Sequence, residues 1–263
     1  MDSKYCYLTA AVGLEDSNFE PDGYESANGG RIRVDGQTFD YVDPDAHCDR
    51  LYDDLITFYD TAGYNQSPYH SRFRKKKVGS LLVLEDEYGN QMSSDYIGTS
   101  RYWAHEKGGM TDAEIGAMLL RARTIGGHML WPVHRVPTIN TARGGRNGFY
   151  DRIDLTLQEI RYMMTDEPHT KNQTVRDVIE KEKDWFALFM VEPGVDAFKR
   201  FITTFKLRPF VFGEDYRVIS LANSDLENGE CVPVSIDEAV FSTDFSRYVK
   251  NNLYAIEKRN CDI

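Results

Sequence analysis

The chain has 263 residues, 41% hydrophobic and 13% aromatic, with a formal net charge of -11. Sixteen Tyr and fourteen Phe supply the apolar area a disordered chain lacks. No run approaches the roughly 18 apolar residues of a membrane span, and so acidic a chain does not coat nucleic acid indiscriminately.

The elements follow in chain order. Ile32, Val34, Phe39 and Tyr41 alternate around Asp35-Gly36 and predict a hairpin. A helix is expected from about His47 to Tyr59, with Leu51, Leu55 and Phe58 on one face and Asp43 or Asp45 as its cap. The basic run Arg72–Lys77 reads as a loop before a second hairpin, Ser80–Leu84 with Gln91–Gly98, turned at Gly89. Residues 99–110 read as a loop. Thr111 and Glu114 form a capping box for a helix carrying Ile115, Met118, Leu119 and Ala122 and ending at Gly126-Gly127. His128–Val133 reads as a strand, Ala142–Gly148 as a Gly-rich loop and Tyr150–Met164 as a helix. Two more helices, 175–189 and 195–205, short strands near 209–212 and 216–221, and a closing helix through Phe245, Tyr248, Val249 and Ile256 complete the chain. The expectation is one α+β domain over residues 1–263, with antiparallel hairpins in the N-terminal half and a mostly helical C-terminal half.

Between Arg121 and Arg152 lie six arginines, two histidines and one acid, Asp151. This stretch carries +5 and leaves about -16 to the rest. Guanidinium offers a planar fork for phosphate or carboxylate, and loop glycines admit close backbone approach. The expectation is an anion pocket in which Arg135, Arg143, Arg146 and Arg152 converge, with Thr138 and Asn140 orienting the ligand. His128 or His134 is the acid–base candidate, since imidazole titrates near neutrality, and Asp151 completes the catalytic set. The plainer account pairs these arginines with the chain's many carboxylates.

The stretch GGHMLWPVHRVPTINTARGGRNGFYDRIDLTLQEIR resembles the central motif of an uncharacterised bacterial family, with H-x-hydrophobic-x-P, TIN-x-x-RG and DR-x-DLTL-x-x-I. The matching residues are His128, Pro132, Thr138, Ile139, Asn140, Arg143, Gly144, Asp151, Arg152, Asp154, Leu155, Thr156, Leu157 and Ile160. The likeness extends to Asp43-Pro44-Asp45, Ser93-Ser94-Asp95, the run starting at Asp184-Trp185 and the closing Arg259-Asn260. It implies one domain and brings no reaction with it.

Other constellations are weaker. Arg121 or Arg123 with His128 resembles the Arg-x4–6-His signature of HEPN-type ribonucleases, although Gly126-Gly127 breaks the helix between them. Arg101 or Arg135, Ser94 and Glu159 loosely fit the roles of an ADP-ribosyltransferase site. The basic run Arg72–Lys77 offers phosphate contacts, with Phe73 as a stacking face. Asp43, Asp45, His47 and Asp49 alternate like metal ligands only on a strand, so no metal site is expected, and no Walker, Rossmann or nucleophile-elbow motif is present. The four cysteines, Cys6, Cys48, Cys231 and Cys261, form no CxxC pair. With no signal-like N-terminus, a reduced cytoplasmic protein is expected.

The reading is an enzyme acting on a nucleotide or nucleic-acid, phosphate-bearing substrate. A toxin or phage-defence effector of transferase or hydrolase type, such as an ADP-ribosyltransferase or nuclease, falls within it. The alternative is a non-catalytic nucleotide-sensing or protein-interaction module using the same arginines. Expected partners are a phosphate-bearing small molecule or nucleic acid, or a protein, but no membrane; the sequence names no cofactor.

Overall fold

A four-stranded antiparallel sheet, ordered β4-β5-β6-β7, organises the core: β4 (Arg74–Val78), β5 (Leu81–Glu85), β6 (Gln91–Tyr96) and β7 (His128–Pro132). The computed structural model describes residues 19–22, 29–34, 37–42, 49–59, 68–79, 81–133, 138–144, 151–167, 173–190, 194–241 and 244–261. Upstream, β1 (Phe19–Asp22), β2 (Gly29–Val34) and β3 (Gln37–Val42) form a three-stranded antiparallel sheet. Val34 opposite Gln37 brackets the predicted Asp35-Gly36 turn.

The second hairpin is closed by Asp86, whose Oδ1 accepts from the backbone N of Tyr88 (2.9 Å) and of Asn90 (2.8 Å). Gly89 takes φ 84°, a left-handed value open to glycine without steric cost. β7 is buried at all five positions. It ends on Pro132 at a sheet edge, where the missing N–H removes no interior ladder bond.

Nine α-helices lie among the described residues: α1 (Asp49–Phe58), α2 (Arg101–Glu106), α3 (Asp112–Ala122), α4 (Ile139–Gly144), α5 (Ile153–Thr165), α6 (Gln173–Lys181), α7 (Lys183–Phe186), α8 (Val195–Thr204) and α9 (Phe245–Asn260). The capping box of α3 forms as predicted, with Thr111 N donating to Glu114 Oε2 (2.8 Å) and Glu114 N to Thr111 Oγ1 (3.3 Å). α5 is the central helix, buried at every position from Ile153 to Tyr162 and again at Met164. Rings of Trp185, Phe189, Phe201 and Phe205 pack at centroid distances of 5.2–5.7 Å and hold α7 and α8 together. Trp185–Phe189 and Phe189–Phe201 meet edge-on, a geometry that contributes beyond area burial. The α+β arrangement, with antiparallel hairpins in the N-terminal half and helices mostly in the C-terminal half, is the one expected.

Four local readings change. Arg74–Val78 is a strand, because pairing with β5 overrides the weak strand preference of lysine. Arg101–Glu106 is a helix capped by Ser100, whose Oγ accepts from Trp103 N (3.4 Å). Residues 142–144, expected to open the Gly-rich loop, instead complete α4 (Ile139–Gly144). The helix expected over 175–189 divides at Glu182 into α6 and α7.

Candidate functional site

Arg143 ties the segment after β7 to the sheet. Thr138 caps the first turn of α4, its Oγ1 accepting from Thr141 N (3.2 Å). Arg143, from the last turn, runs back into the protein and is 1% exposed. Its Nη2 donates to the Asp95 carboxylate and to Tyr96 O (3.0 Å), and its Nη1 donates to Asp151 O (3.1 Å). Burial works against the charged guanidinium, but the Asp95 and Asp151 carboxylates outweigh it and raise its pKa. The cation is held permanently, and a buried charge of this kind requires its partner.

Asp151 takes φ 67°, a value uncommon outside glycine, just before α5 begins. Arg152 then meets Asp154 as a fork, Nε on Oδ1 (2.8 Å) and Nη2 on Oδ2 (2.6 Å), with both side chains 0% exposed. Its Nη2 also donates to Glu238 Oε1 (2.5 Å), and its Nη1 to Val240 O (2.9 Å) and Ala239 O (3.2 Å). One side chain thus fastens the 238–240 segment to the central helix. The Tyr248 ring lies 4.8 Å from the guanidinium, and burial, then Asp154, pushes the phenol pKa up.

Arg259 is, like Arg152, 0% exposed. Its Nη1 donates to Gly126 O (2.8 Å) and His128 O (2.6 Å), and its Nη2 to Phe205 O (2.8 Å) and to the Tyr59 hydroxyl. Asn260 Oδ1 accepts from Gly126 N (2.7 Å). Glycine is required there: a Cβ on Gly127 would fall 1.8 Å from Ala122 O.

The sequence-predicted residues are therefore distributed as follows. Arg143 and Arg152 do not meet around one space; the first faces Asp95 and Asp151, the second Asp154 and Glu238. The acidic chain supplies each with its own carboxylates, which is the plainer of the two expectations. His128 is 0% exposed, with Nδ1 2.8 Å from Thr124 O, so it sits in the core. Thr138, Asn140 and Asp151 are half-buried. His134, Arg135 and Arg146 lie outside the described residues. Arg121 forks onto Glu257 (2.7 and 2.9 Å), and Arg123 lies 4.0 Å over the Tyr96 ring. Ser94 and Glu159 are buried and Arg101 is half-buried. Of the alternating acids, Asp49 pairs with Lys75 (3.4 Å), while Asp43, Asp45 and His47 lie outside the described residues. Among the described residues, no group of three or more His, Cys, Asp or Glu is placed to hold a metal ion. Nor is any described helix long and apolar enough to cross a membrane.

The inward grip of Arg152 has an outward consequence. The segment it holds presents Phe241, whose ring lies 4.9 Å from Trp103 and 5.3 Å from Phe245; Phe245 in turn stacks at 5.1 Å on Tyr248. Tyr102, 45% exposed, stands 4.7 Å from Trp103. Lys107 Nζ lies 5.1 Å from the Phe241 centroid. A row of aromatic rings thus runs from the surface at Tyr102 to the buried Arg152. Phe241 and Glu238 carry no signal of their own in the sequence, and Tyr248 reads there only as an apolar position of the closing helix; folding brings them to this row.

Compared with known protein families, residues 31–263 match a family of unknown function, DUF6994. The chain belongs to this family. No curated protein and no solved structure matches it. Within this member, three of the motifs quoted above turn out to be fastenings: Ser93-Ser94-Asp95 supplies the partner of Arg143, Arg152 and Asp154 form a buried fork, and Arg259-Asn260 closes on Gly126 and His128.

Proposed function

We propose that this chain is a cytoplasmic bacterial enzyme acting on a nucleotide or nucleic-acid, phosphate-bearing substrate. A toxin or phage-defence effector catalysing ADP-ribosyl transfer or nucleic-acid hydrolysis falls within this reading. The observation that carries it is the aromatic row from Tyr102 through Trp103 and Phe241 to Arg152, which joins a partly exposed stacking surface to the arginine-rich segment. A base stacks on aromatic rings while arginines hold its phosphate. In this reading Arg135 and Arg146 contact phosphate, and Thr138 and Asn140 orient the substrate. His134 is the acid–base group and Asp151 the assisting carboxylate. Arg143 and Arg152 act as positioning residues, since their donors serve internal acceptors.

The burial of His128 favours one second reading, a nucleotide-sensing or protein-interaction module with no acid–base step at that position. Incubation with NAD+, nucleoside triphosphates and single-stranded RNA, followed by chromatography of products, separates the two. The enzyme reading expects a product that His134→Ala abolishes while binding persists. Binding with no product from any of these supports a nucleotide-sensing module, and no binding to any of them refutes the enzyme and the nucleotide sensor alike and leaves a protein-interaction module.

A further inference from the structure

The edge strand β4 is exposed at all five positions, on both faces. A strand so placed buries no apolar side chain, so its composition is not dictated by the core. That composition is Arg-Lys-Lys-Lys-Val, in a chain of net charge -11. Among the described residues the strand pairs with β5 alone, which is itself buried at Leu82, Val83 and Leu84, so β4 forms the open margin of the sheet; the chain turns between them near Gly79 (φ 62°), with Val78 43% and Leu81 49% exposed at the turn. Alternation puts Arg74 and Lys76 on one face and Lys75 and Lys77 on the other. Same-face neighbours are about 6.8 Å apart, roughly twice the 3.4 Å axial spacing of phosphates along one strand of DNA. Lys75 is drawn to Asp53 (2.7 Å) and Lys76 to Glu85 (2.5 Å), whereas Arg74 and Lys77 form no ion pair among the described residues. Phe73, read from sequence as a stacking face, is 6% exposed and cannot receive a base.

We propose that the exposed edge strand β4 is a docking surface for the phosphate backbone of a nucleic-acid strand. The inference deepens the proposed function by making the substrate a polynucleotide, and it rests on that reading. Lysines on an edge strand also discourage sheet-to-sheet pairing between copies, but that purpose is met by one or two charges and leaves a basic run on both faces unexplained. With Phe73 buried, the contact is to phosphate alone. Binding is therefore indifferent to base sequence and strongly dependent on salt.

The test uses the full chain and a fluorescent 20-nucleotide single-stranded DNA of mixed sequence, followed by anisotropy. If four cations engage phosphate, affinity falls about 50-fold between 50 and 200 mM salt, and a second sequence of equal length binds equally. Arg74→Gln/Lys77→Gln lowers the log–log salt slope by about 1.4 and weakens binding at low salt. Lys77→Gln alone, opposite the apolar Leu82, is the control against misfolding and lowers the slope by about half as much. Quenching of Trp103 by a mononucleotide is read in the same variants and stays unchanged. Unaltered oligonucleotide affinity and slope in the folded double variant overturn the proposal, as does an oligo-glutamate that binds as tightly as the DNA. Mononucleotide quenching without any oligonucleotide binding removes the edge-strand proposal and leaves the nucleotide reading standing; loss of both removes both.

Discussion

Arg143 and Tyr248 share one acceptor, the carbonyl of Asp151, at 3.1 and 3.2 Å. Through it the sheet, the turn before the central helix and the C-terminal helix meet at a single backbone atom. Tyr248 also accepts from Ile153 N (3.2 Å) and Asn252 Nδ2 (2.9 Å), so the first turn of α5 is fixed from α9. The arginine-rich segment is therefore anchored at its C-terminal end by groups 86 to 97 residues further along.

Removing one partner of the Arg143–Asp95 pair leaves a buried charge without its counterion. Asp95→Asn and Arg143→Met are each expected to cost about 3–5 kcal/mol in urea unfolding. The combined Asp95→Leu/Arg143→Met variant recovers most of that loss. Additive losses in this cycle would show that the two groups do not depend on each other.

Asp151 holds a left-handed turn through its backbone and keeps its carboxylate half-buried, 3.9 Å from Arg143 Nη1. Glycine adopts φ 67° freely, so Asp151→Gly stays within about 1 kcal/mol of the parent, whereas the β-branched Asp151→Val loses about 2 kcal/mol or more. Thermal melts check both. A stable Asp151→Gly protein then isolates the carboxylate: its activity falls if that group takes part in the reaction.

Tyr248 is buried, and burial with the neighbouring Asp154 raises its pKa in the folded state. The unfolded phenol ionises near 10. In that alkaline range the unfolded chain sheds a proton that the folded chain keeps, so stability is complete below pH of about 10 and declines as pH rises beyond it. Tyr248→Phe lowers stability at neutral pH through the lost hydrogen bonds but flattens the alkaline decline. Denaturation midpoints between pH 8 and 11 measure the difference; an equally steep decline in the variant would place its origin elsewhere.

Glu238 accepts from Arg152 and from Ser220 Oγ (2.7 Å), and so carries the loop that presents Phe241. Glu238→Ala keeps the Arg152–Asp154 fork but releases one side of that loop. Hydrogen exchange over residues 235–241 rises, and acrylamide reaches Trp103 more readily, while α5 stays protected. Unchanged exchange there would show that the backbone contacts to Ala239 and Val240 suffice.

Much of the fold was legible because the local signals were strong and mutually consistent. The Thr111–Glu114 box, the Gly126-Gly127 stop and the apolar spacing of α5, α8 and α9 each state their structure in a few residues. β4 was not legible, since nothing local makes a strand of lysines and its pairing with β5 is a tertiary fact. The candidate site was legible in composition and not in geometry. A run of arginines in an acidic chain announces that cations matter, but whether each faces a ligand or a carboxylate depends on partners such as Asp95 and Glu238, 48 and 86 residues away. Several residues of the quoted motifs fasten the protein together.

The most direct measurement is nucleotide-dependent quenching of tryptophan fluorescence. Trp131 and Trp185 are 0% exposed and Trp103 is half-buried, so Trp103 alone of the three is open to a stacking base. Titration with AMP or a 20-nucleotide DNA is predicted to quench the parent saturably. The same titration leaves Trp103→Phe unquenched, and Arg135→Ala/Arg146→Ala weakens it about tenfold or more with the melting temperature unchanged. A parent protein that neither ligand quenches, or arginine variants that bind as well as the parent, would contradict the nucleotide reading.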